Sequence, residues 1–350
     1  MNLQAIAAPP GAEHIHHFED PVSGARGVIV VDSTVRGPAM GGCRLWRYAS
    51  DADMLLDATR LARGMSYKNA VAGLALGGGK AAINMPDGAF DRASLFRAFG
   101  RAVEELGGSY LAAEDVGTSV ADMQIVRSAT PHVFGLPAGD GLAGGDPSPW
   151  TALGTFVAMQ VAAEWRGRGL GDMTVIVQGL GNVGRALCEL LSAEGANLVV
   201  ADIDPAREGE VADRFGAWVA SAEEIHAAPG DIYAPCALGA TLNAKTIPAI
   251  QASIVCGAAN NQLARPEDRE ALAARGILYA PDYVVNAGGI INVAAEYLGE
   301  GPDLVRARVQ AIGPKLRNIL QTARDQNVTP AQAADQLAAS LLTDVRCVAA

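Results

Sequence analysis

Cysteine is scarce in this sequence, and no two cysteines stand at the spacing of a metal or redox motif. The five cysteines (Cys43, Cys188, Cys236, Cys256 and Cys347) are scattered through 350 residues without a CxxC pair. A chain of this size with so few cysteines does not depend on a disulfide framework, and reduced thiols fit it better. We therefore expect a cytoplasmic protein.

The sequence also lacks an excess of positive charge and any long apolar run. The formal net charge is −11, which argues against nucleic acid or an anionic membrane as a partner. No stretch approaches the length of a membrane span, and the N-terminus has no basic segment followed by an apolar core. We expect a soluble protein whose partners are small molecules.

Histidine is scarce too, with five residues in the chain. His14, His16 and His17 stand close together, but further ligands at a matching spacing are missing, so we expect no metal site. A dehydrogenase of hydroxy acids would need a histidine base. The histidines lie outside the motifs described below, which counts against that class.

A complete dinucleotide-binding pattern is present between residues 174 and 202. The β-branched run Thr174–Gln178 leads into the glycine turn at 179–184, a predicted helix over 185–193, a second strand at Asn197–Ala201, and then Asp202. This order of strand, glycine turn, helix, strand and acid is far more specific than a glycine pattern alone.

Each part of this pattern has a physical task. Gly179 permits a tight turn, Gly181 lets the backbone approach a pyrophosphate, and Gly184 lets the helix lie close to the strand. Free N–H groups at the helix start favour a diphosphate. The candidate contacts in this turn are Gly179, Leu180, Gly181, Asn182, Val183 and Gly184. Asp202 can accept hydrogen bonds from ribose hydroxyls and would repel a 2′-phosphate, which predicts NAD as the cofactor.

Length and composition indicate an α/β protein of two domains. Half of the residues are hydrophobic and 19% are charged, which allows large cores. From residue 135 to 149 the sequence turns to Gly, Pro, Asp and Ser, the clearest boundary in the chain. We expect an N-terminal domain over 1–140 and a nucleotide-binding domain over 141–325, with helices at about 325–350 packing back on the first domain.

Two lysines in the N-terminal half bracket a small, apolar, glycine-rich stretch. A predicted amphipathic helix over 51–65 precedes Lys68, and residues 77–79 are glycines before Lys80. Lysine is usually solvated, but these neighbours favour burial. Two like charges in a partly desolvated pocket favour proton loss from one of them, which would then act as a base while the other binds a carboxylate.

Two further segments of this half are candidates for a ligand site. Residues 36–44 are predicted to form a glycine-rich loop, suited to close approach of a ligand or simply to a turn. A short predicted strand over 110–113 ends in Glu114 and Asp115. Acids at the end of a strand commonly line an α/β cleft, but they can also cap the helix that follows.

The C-terminal half alternates strands with loops rich in small residues and amides. Residues 231–237 are predicted to form a strand and its exit loop, which contains Ala237. Predicted strands over 253–256 and 277–280 lead into loops that contain Ala258 and Asn286. Ligands in such folds bind beyond the carboxyl ends of the strands, so these loops are candidates for contacting ribose and nicotinamide. The remaining helices are predicted at 290–299, 303–325 and 330–341.

Taken together, these segments resemble the Glu/Leu/Phe/Val dehydrogenase family, most closely its leucine dehydrogenase branch. The resemblance runs from about residue 28 to the last helices. Its matching motifs are residues 37–44, 63–70, 77–80, 113–118, 146–149, the nucleotide pattern, 231–240, 257–262 and 281–293.

The resemblance implies reversible, NAD-linked oxidative deamination of an L-amino acid to a 2-oxo acid and ammonia. It also implies a substrate domain that mediates oligomerisation and a Rossmann-type domain, with the reaction in a cleft between them. Lys68 would hold the substrate carboxylate, Lys80 would activate water, and Asp115 would transfer protons. Gly41, Gly42 and Asn261 would position the substrate. The implied cofactor contacts are Thr151, Asn182, Asp202, Cys236 and Asn260.

The family's side-chain pocket matches apolar residues here: Met40, Met65, Ala113, Ile290 and Val293. No charge is available to recognise glutamate, and β-branched Ile290 favours aliphatic substrates. Phe134 departs from the leucine enzymes, which tend to have a small polar residue there. We therefore expect leucine, valine or isoleucine as the substrate, with phenylalanine or another aromatic amino acid as the alternative.

Two further alternatives concern catalysis and assembly. A non-catalytic NAD- or amino-acid-binding relative would not need Lys68, Lys80 and Asp115, and all three are present. The family implies a homo-oligomer. The segment after residue 343 is short beside the leucine-type tails that take part in assembly, so at least a dimer is expected.

Overall fold

The computed structural model describes residues 12–137, 139, 141–237 and 239–343. These residues form two compact units. The first contains the described residues up to Asp146, Val293–Pro302 and the end of the last helix from Ala338. The second contains Pro147–Asn292 and Asp303–Leu337. Cys347 lies outside the described residues.

The first unit is built from a sheet covered by helices on both faces. Its elements in chain order are β1 (His14–Asp20), β2 (Ala25–Ser33), β3 (Ala39–Trp46), α1 (Asp51–Ala72), β4 (Gly77–Asn84), α2 (Arg92–Glu104), β5 (Tyr110–Glu114) and α3 (Val120–Arg127). The strand order is β1-β2-β4-β3-β5. β1 and β2 pair antiparallel, as do β2 and β4, whereas β3 lies parallel to both β4 and β5.

Side-chain alternation divides the core of this unit into two layers. On one face, Val28, Val30 and Ala82 pack against residues of α1 such as Met54 and Ala58. On the other face, buried residues of the sheet pack against residues of α2 and α3. These sheet residues are Ile29, Val31, Cys43, Leu45, Ala81 and Ile83. Both faces of the sheet are therefore buried.

The predicted loop at 36–44 is wrong, because most of it belongs to β3, an interior strand of the sheet. Glycine normally weakens a strand, and it is used here because neighbouring strands leave no room for a side chain. A Cβ on Gly41 would overlap the carbonyl oxygen of Gly79, and one on Gly79 would lie 2.8 Å from the Tyr110 ring. Only Gly37, which has φ of 130°, keeps the positive φ expected of a turn.

Helix α1 is longer than the predicted 51–65. It begins at Asp51, where the Ser50 side chain accepts from the Asp53 N–H, and runs to Ala72. Gly73 ends it in the left-handed conformation, with φ of 79°. Lys68 therefore stands on the last turns of a helix rather than in the loop after it.

The second unit contains a parallel sheet and most of the remaining helices. Its strands are β6 (Thr174–Gln178), β7 (Asn197–Ala201), β8 (Trp218–Val219), β9 (Ile232–Pro235), β10 (Ile254–Val255) and β11 (Leu278–Tyr279). The helices from residue 148 onward are α4 (Ser148–Trp165), α5 (Asn182–Glu194), α6 (Pro205–Phe215), α7 (Asp268–Ala274), α8 (Asp282–Val285), α9 (Gly288–Leu298), α10 (Pro302–Gln310), α11 (Ile312–Gln326) and α12 (Pro330–Thr343). The end residues of α9 and α12 belong to the first unit.

The strand order β11-β10-β9-β6-β7-β8 is that of a Rossmann-type sheet. All the strands pair parallel. β6 and β7 match the predicted strands. Gly179 follows β6, which lies between β7 and β9, where the strand order reverses. This reversal is the position at which such sheets bind ligands.

The predicted helix over 303–325 is wrong as a single element, because α10 and α11 are separate. Pro314 has no N–H to donate to the carbonyl of Gln310, so the hydrogen-bond ladder is interrupted there. Across the described part of the chain, no helix combines the length and apolar character that crossing a membrane requires.

Candidate active site

Strand alternation brings four of the candidate residues to one face of the first unit's sheet. Met40 pairs with Gly78, and Gly42 pairs with Ala113. Lys80 stands two residues beyond Gly78 on the same face. Met40, Gly42, Lys80 and Ala113 therefore share the face that α1 covers.

Gly42 makes room for the acid at the end of β5. A Cβ at this position would lie 2.8 Å from the Asp115 Cβ and would meet the Glu114 carbonyl oxygen still more closely. Asp115 begins a turn in which its N–H donates to Thr118 Oγ1 at 2.8 Å. The Thr118 hydroxyl in turn donates to the Cys43 carbonyl at 2.9 Å. The turn after β5 is thereby fixed to β3.

Lys80 and Asp115 form a buried ion pair. The distance from Lys80 Nζ to Asp115 Oδ2 is 3.0 Å, with side chains that are 6% and 17% exposed. Arg44 also contacts this carboxylate, because its Nε lies 3.0 Å from Asp115 Oδ2. Burial opposes ionisation, but Lys80 and then Arg44 outweigh it and lower the pKa of Asp115 below its usual value. Asp115 is thus a carboxylate at neutral pH.

Lys68 is placed by hydrogen bonds on either side of it along α1. The Ser66 hydroxyl donates to Asp32 Oδ2 on β2 at 2.5 Å. The Asn69 side-chain amide donates to the Gly77 carbonyl at the start of β4, at 2.6 Å. These contacts fix the turn that carries Lys68 and Met65 relative to the strands that carry Asp32 and Lys80.

Phe134 packs in a defined aromatic contact within the first unit. Its ring meets the Tyr297 ring edge-on, with centroids 5.2 Å apart and an interplanar angle of 86°. Its backbone N–H donates to the carbonyl of Ala112, next to Ala113. Glu296 accepts from the Gly135 N–H at 2.7 Å and the Leu136 N–H at 3.3 Å. Phe134 is therefore held close to β5 and to the end of α9 that contains buried Val293.

The glycine turn of the second unit has the geometry that a dinucleotide requires. Gly179 has φ of 97° and leaves no space for a Cβ beside Ala237, whereas a Cβ on Gly181 would meet nothing within 4 Å. Gly184 lies against the Gly179 carbonyl, where any side chain would overlap it. α5 begins at Asn182, and its N-cap Gly181 provides no side-chain hydrogen bond, so the N–H groups of its first turn face an open approach.

Asp202 stands at the end of β7 with its carboxylate oriented by the backbone. It accepts from the Leu180 N–H at 2.6 Å and from the Asp204 N–H at 3.0 Å. Arg207 on α6 lies 4.0 Å from the same carboxylate. These residues fit the adenosine ribose and pyrophosphate of a nicotinamide dinucleotide, consistent with the glycine pattern.

An amide cluster lies at the carboxyl end of β10. The Asn286 side-chain nitrogen donates to the Ala258 carbonyl at 3.0 Å and to Asn260 Oδ1 at 2.9 Å. Asn286 is 5% exposed, and its Oδ1 is a buried acceptor with no hydrogen bond from the described residues. An unfilled buried acceptor fits a site that receives a ligand amide. Asn261 has φ of 52°, and Cys236 follows β9.

The structure separates the predicted site residues between the two units. Met40, Gly41, Gly42, Met65, Lys68, Lys80, Ala113, Asp115, Phe134 and Val293 belong to the first unit. Thr151, the glycine turn, Asp202, Cys236, Ala237, Ala258, Asn260, Asn261, Asn286 and Ile290 belong to the second. Thr151 lies on α4, and a Cβ on Gly289 of α9 would come within 2.7 Å of its Oγ1.

Sequence reasoning missed the residues around Asp115 that are not in the glycine and lysine motifs. Arg44 had no assigned role, although it lies two residues after Gly42 and therefore on the same face of β3. Asp57 on α1 and Tyr48 were missed as well. Recognition of β3 as a strand would have found Arg44, but the contacts to Asp57 depend on tertiary structure.

Comparisons with known proteins agree with this geometry. Residues 13–132 match the family model described as Glu/Leu/Phe/Val dehydrogenase, dimerisation domain, and residues 206–349 match that of Glutamate/Leucine/Phenylalanine/Valine dehydrogenase. The leucine dehydrogenase of Bacillus subtilis (strain 168) is 42% identical, over 95% of this chain and 92% of that protein. The valine dehydrogenase of Streptomyces coelicolor is 45% identical, over 96% and 93%.

A solved structure is similar over nearly the whole chain. The crystal structure of L-tryptophan dehydrogenase from Nostoc punctiforme has a TM-score of 0.82 and 39% identity, and the match covers 96% of this chain and 97% of that one. The chain belongs to the Glu/Leu/Phe/Val dehydrogenase family. It is an amino acid dehydrogenase, an oxidoreductase with an α/β fold that includes a Rossmann-type dinucleotide-binding domain.

Proposed function

We propose that this enzyme catalyses the reversible, NAD-dependent oxidative deamination of a branched-chain L-amino acid (leucine, valine or isoleucine) to the 2-oxo acid and ammonia. The observation that carries the proposal is the buried Lys80–Asp115 pair, 3.0 Å apart, on a sheet face beside the helix that bears Lys68. A carboxylate and an amine in contact suit a reaction with several proton transfers at one carbon.

In this mechanism each ionisable residue has one part. Bound NAD supplies a two-electron acceptor for the substrate Cα. Lys68 binds the substrate carboxylate. The Asp115 carboxylate takes a proton from the substrate ammonium group, so that the nitrogen lone pair can form the C=N bond as the Cα–H bond breaks.

Hydrolysis of the resulting iminium uses both residues of the pair. Neutral Lys80 takes a proton from water while the water oxygen bonds to Cα, which gives the carbinolamine. Asp115 returns its proton to the amino nitrogen. The C–N bond then breaks, ammonia leaves, and the carbinolamine hydroxyl gives its proton to the Asp115 carboxylate. The protons left on Lys80 and Asp115 finally pass to ammonia and solvent.

NAD rather than NADP is supported by Asp202. Its carboxylate is 6% exposed and is held by two backbone N–H groups at the end of β7. A 2′-phosphate at this position would bring two further negative charges close to it. The proposed contacts of NAD are the glycine turn, Thr151, Asp202, Cys236, Ala237, Ala258, Asn260 and Asn286.

The aliphatic preference is supported by the apolar residues beside the catalytic pair. Met40 and Ala113 are buried on the Lys80 face of the sheet, and Val293 is buried on α9. Met65 and Ile290, the other residues proposed to contact the substrate side chain, are uncharged as well. The names of the leucine and valine dehydrogenases that resemble the chain support the same substrate class.

An aromatic amino acid is the second candidate substrate. Phe134 and Tyr297 form an aromatic pair next to β5, and an aromatic pocket wall suits an aromatic side chain. One similar enzyme is named L-tryptophan dehydrogenase. Pockets of this kind discriminate between apolar side chains by only about 1–3 kcal/mol, so activity on several substrates is expected.

The same proposal includes the arrangement and location of the enzyme. We propose that residues 1–140 bind substrate and mediate oligomerisation, at least to a dimer, with helices near 325–350 packing on them, and that 141–325 bind NAD. The match of residues 13–132 to a family model described as a dimerisation domain supports this. Four free cysteines among the described residues agree with the cytoplasm.

Initial rates of NADH formation test the proposed activity. The panel is leucine, valine, isoleucine, phenylalanine, tryptophan and glutamate with NAD and with NADP, at about pH 10, where deamination by a lysine base is favoured. Leucine, valine or isoleucine leading with NAD supports the proposal. The highest rate with phenylalanine or tryptophan would instead support the aromatic candidate. The highest rate with glutamate would contradict both candidates.

A further inference from the structure

Arg44 lies between two carboxylates, and one of them is the proposed proton carrier. Its Nε is 3.0 Å from Asp115 Oδ2, and its Nη1 is 3.0 Å from Asp57 Oδ2 and 3.4 Å from Asp57 Oδ1. The Tyr48 hydroxyl donates to Asp57 Oδ2 at 2.7 Å. A chain of hydrogen bonds therefore runs from Tyr48 through Asp57 and Arg44 to Asp115.

This arrangement fixes the orientation of the Asp115 carboxylate. A guanidinium is planar and is held here by two of its nitrogens on separate partners, so it cannot turn about its long axis without losing one of them. Arg44 comes from β3, Asp57 from α1 and Asp115 from the end of β5. Three elements of one unit therefore determine where the carboxylate points.

Both cations that contact Asp115 use the same oxygen atom. Lys80 Nζ and Arg44 Nε each lie 3.0 Å from Oδ2. Among the residues that the structure describes, none makes a hydrogen bond to Asp115 Oδ1. Oδ1 is therefore the oxygen available to a substrate, because Oδ2 already contacts Lys80 and Arg44.

The two cations differ in one respect that matters for proton transfer. Lys80 must lose its proton to act as a base, and at that moment it no longer neutralises Asp115. Arginine stays protonated under all physiological conditions. Without Arg44, Asp115 would have no positively charged partner left in contact when Lys80 gives up its proton.

We propose that Arg44, held by Asp57, is a positioning residue that presents Asp115 Oδ1 to the substrate and provides a permanent counter-charge, so that Asp115 keeps a positive partner when Lys80 has given up its proton. This inference rests on the proposed function, because it uses the roles assigned there to Lys80 and Asp115.

Other ionisable groups interact electrostatically with Asp115. They are Glu114 on β5, Cys43 on β3, Tyr110 on β5 and Tyr48. Burial raises the pKa of Cys43, Tyr110 and Tyr48, so these three stay neutral near physiological pH. Glu114 is the remaining group that can become charged, and as an anion it cannot replace Arg44 as the counter-charge.

The test is the pH dependence of leucine deamination, measured with the full-length enzyme at saturating NAD. We expect Arg44→Met to lower kcat by about 10²-fold, the usual size of a lost proton-transfer contribution, with the KM for NAD nearly unchanged. Because a positive charge that favours proton loss in this site is gone, the acidic limb of kcat/KM should move to higher pH.

Three further variants separate positioning from a structural role. Arg44→Lys keeps the positive charge but loses the contact with Asp57. Its kcat should be about tenfold higher than that of Arg44→Met. Asp57→Asn should lower kcat by a smaller factor, because it weakens the contact that orients Arg44. Arg47→Met is the matched control, because Arg47 lies just beyond β3 and its ion pair within the described part of the chain is with Asp87 at the surface. It should leave the profile unchanged.

The outcomes also distinguish this inference from the proposed function. A folded Arg44→Met enzyme with wild-type kcat and an unmoved acidic limb, beside an inactive Asp115→Asn, overturns the inference alone. If Arg44→Met loses the same fraction of activity at every pH and Arg44→Lys does not recover it, Arg44 has a structural role only. If Arg44→Met does not fold, an Asp57→Asn profile identical to wild type overturns the inference. A fully active Asp115→Asn would overturn the proposed function itself.

Discussion

Lys80 Nζ and Asp115 Oδ2 lie 3.0 Å apart, although the two residues are separated by a helix and two turns in the chain. The pair exists because β4 and β5 flank β3, and Lys80 and the carboxyl end of β5 lie on the same face of the sheet. Gly42, between them on β3, has no side chain to keep them apart. The predictions below follow from this arrangement.

Replacement of Gly42 by alanine should disable the site. The new Cβ would lie 2.8 Å from the Asp115 Cβ. We expect overpacking to cost about 1–3 kcal/mol of the free energy of unfolding and kcat to fall sharply. Gly209→Ala on α6 is the control, since its Cβ would meet nothing within 4 Å. It should raise the free energy of unfolding by about 0.5–1 kcal/mol, because alanine favours a helix over glycine. Chemical denaturation and kcat measure both, and an active, equally stable Gly42→Ala enzyme would refute this account of Gly42.

Glu114 should destabilise the enzyme at neutral pH. Burial, with Asp146 and Asp115 nearby, raises the pKa of Glu114 above its ordinary value. A carboxyl whose pKa is higher in the folded than in the unfolded protein lowers the free energy of unfolding as the pH rises from the unfolded-state pKa to the folded-state pKa. The loss persists at higher pH. Glu114→Gln should therefore raise Tm by roughly 1–3 °C at pH 7 but not at pH 4.

Thermal unfolding at several pH values provides the measurement for Glu114. Glu223→Gln is a suitable control because Glu223 is exposed in the second unit. A Glu114→Gln enzyme with the same gain in Tm at pH 4 and pH 7 would show that charge is not the cause.

Asp202 and Arg207 should together determine the choice between NAD and NADP. Arg207 lies 4.0 Å from the Asp202 carboxylate, which it partly neutralises. Asp202→Asn removes the repulsive charge and leaves Arg207 for a 2′-phosphate, so kcat/KM for NADP relative to NAD should rise about 10- to 100-fold. The double variant Asp202→Asn with Arg207→Ala should lose most of that gain. An unchanged cofactor ratio in Asp202→Asn would mean that the ribose lies elsewhere.

Phe134 should limit the size of the substrate side chain. Phe134→Ala removes the ring that meets Tyr297, which enlarges the pocket proposed beside Ala113. We expect kcat/KM for phenylalanine relative to valine to rise about 5- to 100-fold, the range of apolar-pocket discrimination. Tyr297→Phe keeps the ring contact and should leave this ratio nearly unchanged. A ratio that Phe134→Ala does not alter would place Phe134 outside the pocket.

The nucleotide-binding pattern could be predicted from sequence because its signals are local. β6 is a β-branched run and β7 a mostly apolar run, each of five residues, and a glycine turn and an acid follow them at fixed positions. Each of these features depends on its immediate neighbours in the chain. The structure accordingly agrees with the sequence in strand limits, in the glycine conformations and in the position of Asp202.

The strands of the first unit could not be predicted in the same way. The sequence predicts a loop at Gly41 and Gly42 and assigns no strand at Gly79, yet each glycine is required by a side chain or a carbonyl from a distant segment. Similarly, the contacts of Arg44 with Asp57 and Asp115 join three elements and leave no periodic signal. The resemblance to a family indicated Lys80 and Asp115, but it did not indicate the residue that holds Asp115.

Substitution of Lys80 tests the central claim most directly. Lys80→Ala and the wild-type enzyme are compared for NADH formation from leucine and, by fluorescence titration, for NADH binding. We predict that turnover falls by about 10³-fold or more while the dissociation constant of NADH stays within about threefold, because Lys80 belongs to the first unit and the proposed dinucleotide contacts to the second. Turnover close to that of the wild type, or a loss of NADH binding that accounts for the whole effect, would contradict the role of Lys80 as the base.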